Sequence, residues 1–403
     1  MLPKRLFAFV GKQWMLLLSW SLLPLINFFH EFFRDRYNNY KIFRQVFYHI
    51  VNRQNLYNYY PTEYFDSNHY GPIFFFLIAP FAVLPDYLGS PLWNLANALF
   101  LYWVLNQLPL PRRDRMRIIL LCTIEMANAM WSNQFNSIAA AMIVLNYILV
   151  QKGKDFWACF VLFLGFYIKL YGIIGLFLFL FSENKKNFIL YGLFWAALLF
   201  LLPMLVAPPA YIWQTYQDWF HCIVDKNNLN ISLESSQDTC IPGMCRRYFR
   251  DPSISNLPFI VSGALLFLAP LIRIDQYKHK QFQLLMLASA LMFIILFSSS
   301  SEHPTYIYPM IGVALWYDYR LKLKPGWWVH VLIALVIIFG GLGPTDILTK
   351  AFRTYMIDHA LKALPYSIAW FLLLYDLLMR DFNEVGDPLM KPEKPAPCSN
   401  ESM

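Results

Sequence analysis

The sequence predicts an all-α, polytopic transmembrane helical bundle, with about twelve crossings in one integral membrane domain over 1–380 and a polar tail over 381–403. Three observations predict it. Hydrophobic residues make up 58% of the 403 residues and charged ones only 14%, whereas a soluble domain carries roughly 25% charge. Mean hydropathy is +0.40. The charges fall in short clusters between long apolar runs, the distribution of a chain that threads a bilayer repeatedly. A net charge of +8 spread this way excludes a nucleic-acid binder, which gathers its basic residues on one face or tail.

A helix needs ~20 mostly apolar residues to cross the hydrocarbon. Apolar segments run over 13–30, 71–85, 91–108, 117–132, 135–150, 156–168, 170–182, 187–206, 257–273, 281–299, 304–317, 327–342 and 364–379. Several are short, so tilted, paired or bent spans are expected. The first lacks a small-residue cleavage site and reads as an anchor. Segment 71–85, opened by Gly71-Pro72 and broken at Pro80 and Leu84-Pro85, reads as re-entrant or half-buried; the competing reading lets it cross and puts one basic loop outside.

Orientation follows from the basic clusters, which stay cytoplasmic. They are Lys4-Arg5-Lys12, Arg112-Arg113-Arg115-Arg117, Lys152-Lys154, Lys185-Lys186, Arg273-Lys278-Lys280, Arg320-Lys322-Lys324, and Arg380 with the tail lysines. From Arg112 onward, two apolar runs separate each cluster from the next, which puts them all on one face and both termini inside. The other face then collects 31–70, Trp131 to Asn136, the Lys169 region, 207–256, Ser298 to Thr305, and 343–363. Any chemistry belongs on that outer face.

Residues 36–53 place Tyr40, Phe43, Phe47 and Ile50 at three- and four-residue steps, which predicts an amphipathic helix lying flat at the membrane interface, apolar side down. Glu63, Asp66 and His69 follow, beside the Tyr70-Gly71-Pro72 re-entry, and non-helical backbone at membrane depth usually lines a cavity. Ionisable residues inside spans each cost ~3 kcal/mol on insertion scales. Glu125 either bonds a neighbouring helix or serves a site. Lys169, at the break between two short runs, either snorkels outward or holds an anion at the rim. Gln134 and Asn136 suit sugar hydroxyls or helix caps. The turn Ser300-Ser301-Glu302-His303-Pro304-Thr305 offers a general base or a cap. Cys222, Cys240 and Cys245 share the 207–256 loop, where one disulfide can form if the loop is extracytoplasmic, Cys240–Cys245 being the easier closure. No zinc-ligand spacing and no Walker or dinucleotide fingerprint occurs, so no metal and no cofactor is expected.

The order Leu56-Tyr57, Tyr59-Tyr60-Pro61, Tyr70-Gly71-Pro72, Ala79-Pro80, Leu84-Pro85, Trp93, Asn97, Gln134-Phe135-Asn136 and Phe166-Tyr167-Ile168-Lys169 resembles glycosyltransferase family 87 of the GT-C superfamily over roughly 10–320. With Tyr64-Phe65-Asp66 before the Tyr-Gly-Pro, it is similar in particular to Bacteroidetes-type bacterial variants. The resemblance implies a GT-C-type bundle in the bacterial inner membrane with an extracytoplasmic active site. It implies transfer of a hexose, mannose first, from a polyprenyl-phosphate-linked donor to a glycolipid or glycan acceptor. The rival is a non-catalytic relative or a polyprenol-linked flippase. In the family an Asp usually stands early in the first outer loop; here Asn39 occupies that place and cannot act as a base. Asp66, tied to the re-entry, is the expected base, with Asp35 next. His303 assists, Lys169 holds the donor phosphate, and Asn39, Tyr70, Gln134, Asn136 and Glu302 contact sugar or acceptor.

Overall fold

A computed structural model describes residues 13–235, 237–343, 345 and 347–383. The cluster Lys4-Arg5-Lys12 and the tail from 384 on, Cys398 included, lie outside the described residues. Within them the chain is helix and connection, with no strand. In order come α1 (Gln13–Phe32), α2 (Asn38–Val51), α3 (Phe74–Ala82), α4 (Asp86–Asn106), α5 (Arg112–Trp131), α6 (Asn136–Gln151) and α7 (Asp155–Ile168). A 3₁₀ helix (Leu170–Phe181) leads to α8 (Lys185–Leu201), α9 (Pro209–Asn230), α10 (Ile241–Phe249), α11 (Leu257–Leu268), α12 (Lys280–Leu296) and α13 (Ile307–Lys322). Then follow α14 (Trp327–Leu335), which runs on as a π-helix to Leu342, α15 (Lys350–Asp358) and α16 (Ala363–Met379).

The centre is built from α6, α12 and α13, apolar all round and buried on nearly every side, as a helix without a polar face must be. By contrast α8 leaves Ile189, Leu190, Leu193 and Phe194 exposed, and α1 does the same with Leu17, Leu18, Leu22 and Ile26. Apolar side chains turned outward along a whole helix suit lipid, not water.

Length limits the count of spans. Among the described residues, only Gln13–Phe32 and Lys185–Leu205 are long and apolar enough to cross alone, and α15 with α16, bent by 56°, makes a third if the pair is one span. The shorter apolar helices have 10–17 residues; at 1.5 Å per residue the longest reaches about 25 Å, against ~30 Å of hydrocarbon. The expected twelve crossings are therefore not established: most apolar runs form helices shorter than a span, and α4 and α5, with 21 and 20 residues, are long enough but too polar. Segment 71–85 forms only the nine-residue α3.

Three further expectations are corrected. α2 forms over the expected stretch, but Tyr40, Phe43 and Ile50 are buried against α3 and its neighbours rather than presented to lipid: Phe47 stacks on Phe75 at 5.0 Å, and the Tyr40 hydroxyl donates to the Phe81 carbonyl at 2.9 Å. The polar stretch 207–256 is largely helical, as α9 and α10. Cys240 and Cys245 are unpaired thiols; the Cys240 sulfur caps α10 by accepting from the Gly243 N–H.

The polar segments sort to two poles. At one, the Arg117 guanidinium bonds Asp318, which also meets Lys322 at 2.9 Å. Asp376 there holds Arg320 at 2.8 Å and Arg380 at 2.7 Å, and Arg273 donates to the carbonyls of Leu377 and Arg380. At the other meet 31–70, 131–136, Lys169, α9, 298–305 and the α15–α16 bend, as the contacts below show.

Candidate active site

The first outer loop is seated by Gly71. Its N–H donates to the Ile168 carbonyl at 3.1 Å, and a Cβ there would fall 2.1 Å from the Tyr167 carbonyl oxygen and 2.9 Å from the Trp219 ring. Only glycine allows that approach, so the Tyr-Gly-Pro sequence docks the loop against the end of α7. Tyr70 then packs on Phe74 (4.9 Å), Phe43 (5.0 Å) and Phe135 (5.8 Å), aromatic pairs worth ~0.5–1.5 kcal/mol each beyond burial. The Trp93 indole donates to the Asn133 carbonyl at 3.1 Å and fixes the turn that carries Gln134 and Asn136.

Lys169 stands in extended backbone between α7 and the 3₁₀ helix. Its ammonium donates to Asn136 Oδ1 at 2.7 Å and lies over the rings of Tyr171 (4.8 Å) and Tyr70 (5.8 Å). Ring faces attract the charge without consuming its N–H donors, so two of its three donors stay available to an anion.

Glu302 closes the group from the far side. Gln134 Nε2 donates to its Oε1 at 3.1 Å, and Gln134 Oε1 accepts from the Tyr70 hydroxyl at 3.4 Å. The Glu302 turn is braced from outside: Ser299 bonds Asn227, Asn230 donates to Ser300 at 3.2 Å, and the backbone N–H groups of Asp238 and Thr239 donate to the carbonyls of Ser299 and Ser301. Asp238 is itself gripped by Arg246 at 2.6 and 2.7 Å. Burial pushes the Glu302 carboxyl above the usual range, only partly offset by Lys169 and Lys226. His303 is pushed down to about 3 by burial, then by Lys362 and Arg247, so its ring is neutral, and its buried Nδ1 has no partner.

Asp66 sits beside this group at φ +73°, a left-handed backbone that costs an aspartate of order 1 kcal/mol and concentrates at functional sites. Lys226 of α9 lies 3.3 Å from both its oxygens and His69 Nε2 lies 3.7 Å away. Burial raises the carboxyl, but His69, Lys226 and the Ser67 N–H outweigh it and hold it down at about 2. Lys226 acts on both Asp66 and Glu302, which joins the two carboxylates electrostatically.

The structure thus brings Tyr70, Gln134, Asn136, Lys169, Glu302, His303 and Asp66 to one pole. It does not bring Asp35: that carboxylate is 74% exposed and paired with Lys41 at 2.7 Å. Asn39 donates to the Ser132 carbonyl at 2.7 Å, tying α2 to the 131–136 turn. Glu125 takes the neighbouring-helix role, with Lys362 at 3.0 Å and the Tyr366 hydroxyl at 2.9 Å. Lys226 and Lys362 were not singled out by sequence. A signal for the first exists: Asp218, Cys222, Asp225 and Leu229 recur at three- and four-residue steps, one face of α9 turned to the loop.

Compared with known proteins, residues 68–299, more than half of the chain, match the model of glycosyltransferase family 87. Tyr70, Gln134, Asn136 and Lys169 fall inside the matched stretch; Asp35, Asn39, Asp66, Glu302 and His303 fall outside it. No curated protein matches the chain.

Proposed function

Because the chain belongs to glycosyltransferase family 87, we propose that this membrane protein transfers a hexose, mannose being the first candidate, from a polyprenyl-phosphate donor to a glycolipid or glycan acceptor at the extracytoplasmic face of the inner membrane. One observation carries the reading: two ammonium groups, Lys169 and Lys226, lie near enough to the half-buried carboxylate of Glu302 for their charges to act on it. The donor's lipid stays in the bilayer while its phosphate meets Lys169, and the neutral His303 ring donates to it. As the bond from the sugar C1 to the phosphate oxygen breaks, C1 bonds the acceptor oxygen, whose proton passes to a carboxylate. The lipid phosphate leaves with the electron pair, its developing charge met by fixed cations.

The sequence puts that base on Asp66. Glu302 is the better acceptor on physical grounds: a carboxyl raised toward working pH binds a proton in the transition state, whereas one held near 2 binds it weakly. We therefore assign the base to Glu302, with Asp66 fixing Lys226. Asn39 favours the rival reading, a non-catalytic relative or flippase, since a residue bonded to a carbonyl does no proton transfer. Membranes containing the protein, given radiolabelled polyprenyl-phosphate hexoses, decide between them. Label should enter a glycolipid or glycan; no transfer from any donor sinks the enzyme reading. Reporter fusions at Asn228 and Lys322 should report opposite sides of the membrane; the same side for both overturns the orientation.

A further inference from the structure

Beside the lysine–carboxylate group, the first outer loop and α9 line an open cleft of about 280 Å³, just under the ~300–1,000 Å³ typical of ligand pockets. Asn55, Asn58, Asp66, Asp218, Asp225 and Lys226 are among its walls. Three carboxylates face one ammonium, and that ammonium is already committed to Asp66 at 3.3 Å. Asp218 is held at the wall by Asn55 (2.7 Å) and Gln214 (2.8 Å), so it presents a fixed acceptor. His69 lines the cavity too; its buried Nε2 stands 3.7 Å from Asp66, too far for a hydrogen bond, so a ligand hydroxyl between them would bond both. Tyr57, whose hydroxyl donates to the Tyr70 carbonyl at 3.1 Å, supplies an aromatic wall.

We infer that this cavity is the acceptor subsite and that it takes an uncharged or amino sugar while rejecting acidic ones. The inference rests on the glycosyltransferase reading for the word acceptor, but its binding chemistry stands apart from turnover. Side-chain amides and carboxylates accept and donate to sugar hydroxyls. A uronate entering the cavity would set its charge against Asp218 and Asp225, with the wall's one lysine already paired to Asp66 and only the imidazoles of His69 and His221 besides, whereas the ammonium of an amino sugar would pair with the two carboxylates. Asp66 and Lys226 belong to both the cavity and the reacting group, so a sugar seated there lies next to the developing phosphate.

The test uses the full-length protein in nanodiscs and three probes, a methyl hexoside, its 2-amino counterpart and its uronic acid, with binding read by ligand-observed NMR. The amino and neutral glycosides should bind, with the uronate at least tenfold weaker. Asp225→Lys should weaken the amino glycoside and narrow the gap to the uronate, and Asp225→Asn should fall between, while Asp35→Asn, outside the group, leaves all three affinities unchanged. Uronate binding as well as the others, no binding of any probe, or an Asp225→Lys protein with unaltered preference overturns the inference. Binding as expected without sugar transfer from any donor leaves the cavity's specificity standing and overturns the glycosyltransferase reading instead.

Discussion

Two lysine–carboxylate arrangements lie close together at the same pole, and they are built differently. Lys362 and Glu125 are each 1% exposed, 3.0 Å apart, and their remaining capacity is filled by the Tyr366 hydroxyl and the His303 carbonyl. Lys169 and Glu302 are half-buried, and no ion pair joins them directly: each bonds a neutral amide, Asn136 or Gln134, and the charges act on each other across the space between. A closed pair of the first kind holds helices in place. An opened pair of the second kind leaves donors and a proton acceptor free for something that arrives. The same residue types thus read as structure or as chemistry according to whether their bonds are already made.

That contrast is broken most forcefully at the closed pair. Lys362→Met strands the Glu125 carboxylate and should cost ~3–5 kcal/mol of stability, as removal of one partner of a buried pair does. Adding Glu125→Leu to it should recover most of that loss. Thermal unfolding in detergent checks both, and a double variant as unstable as the single one contradicts the account. At the open pair the effect moves from stability to function: Lys169→Met should leave the melting temperature nearly unchanged and weaken use of the donor by ~1.5–3 kcal/mol, the range for a hydrogen bond to a charged group. Donor KM and kcat, measured separately, report it.

The dependence on pH sharpens the comparison within the open group. A carboxyl raised by burial holds its proton to higher pH, so if Glu302 is the base, activity falls as pH drops through a value above the ordinary carboxylate range near 4.3. If Asp66 were the base, its carboxyl at about 2 would keep activity nearly level down to about pH 3. The pH profile of kcat/KM on the acid side separates them. The smallest effect belongs to Asp35→Asn, an exposed carboxylate outside the group: it should shift stability by less than ~0.5 kcal/mol and leave transfer unchanged, and a lost activity would place the base there.

Much of this was legible in the sequence, for identifiable reasons. Composition and cluster spacing give an all-helical membrane protein, because lipid forces apolar helices between polar turns. Gly71 and Lys169 stood out because each violates its surroundings, a glycine opening an apolar run and a charge interrupting one. The apolar face of α2 was read correctly but given the wrong neighbour, since periodicity shows which side is buried and not what buries it. Lys226 and Lys362 stayed hidden because they sit in polar stretches where a lysine is unremarked, and only the folding of α9 and of the α15–α16 bend against the outer turns gives them partners. The preference for Asp66 over Glu302 rests on nearness in sequence to the re-entry; the burial that raises the Glu302 carboxyl is a property of the packed turn.

The central claim is that Glu302 takes the acceptor's proton in a transfer from a lipid-phosphate sugar. It is tested most directly by comparing Glu302→Gln and Asp66→Asn with the unaltered protein, at equal membrane expression and equal melting temperature, in polyprenyl-phosphate hexose transfer. Glu302→Gln should lower the rate ~10²–10⁴-fold, the loss expected of a general base, and Asp66→Asn should lower it by less. Near-normal turnover in Glu302→Gln with transfer abolished in Asp66→Asn would contradict the claim and return the base to the first outer loop.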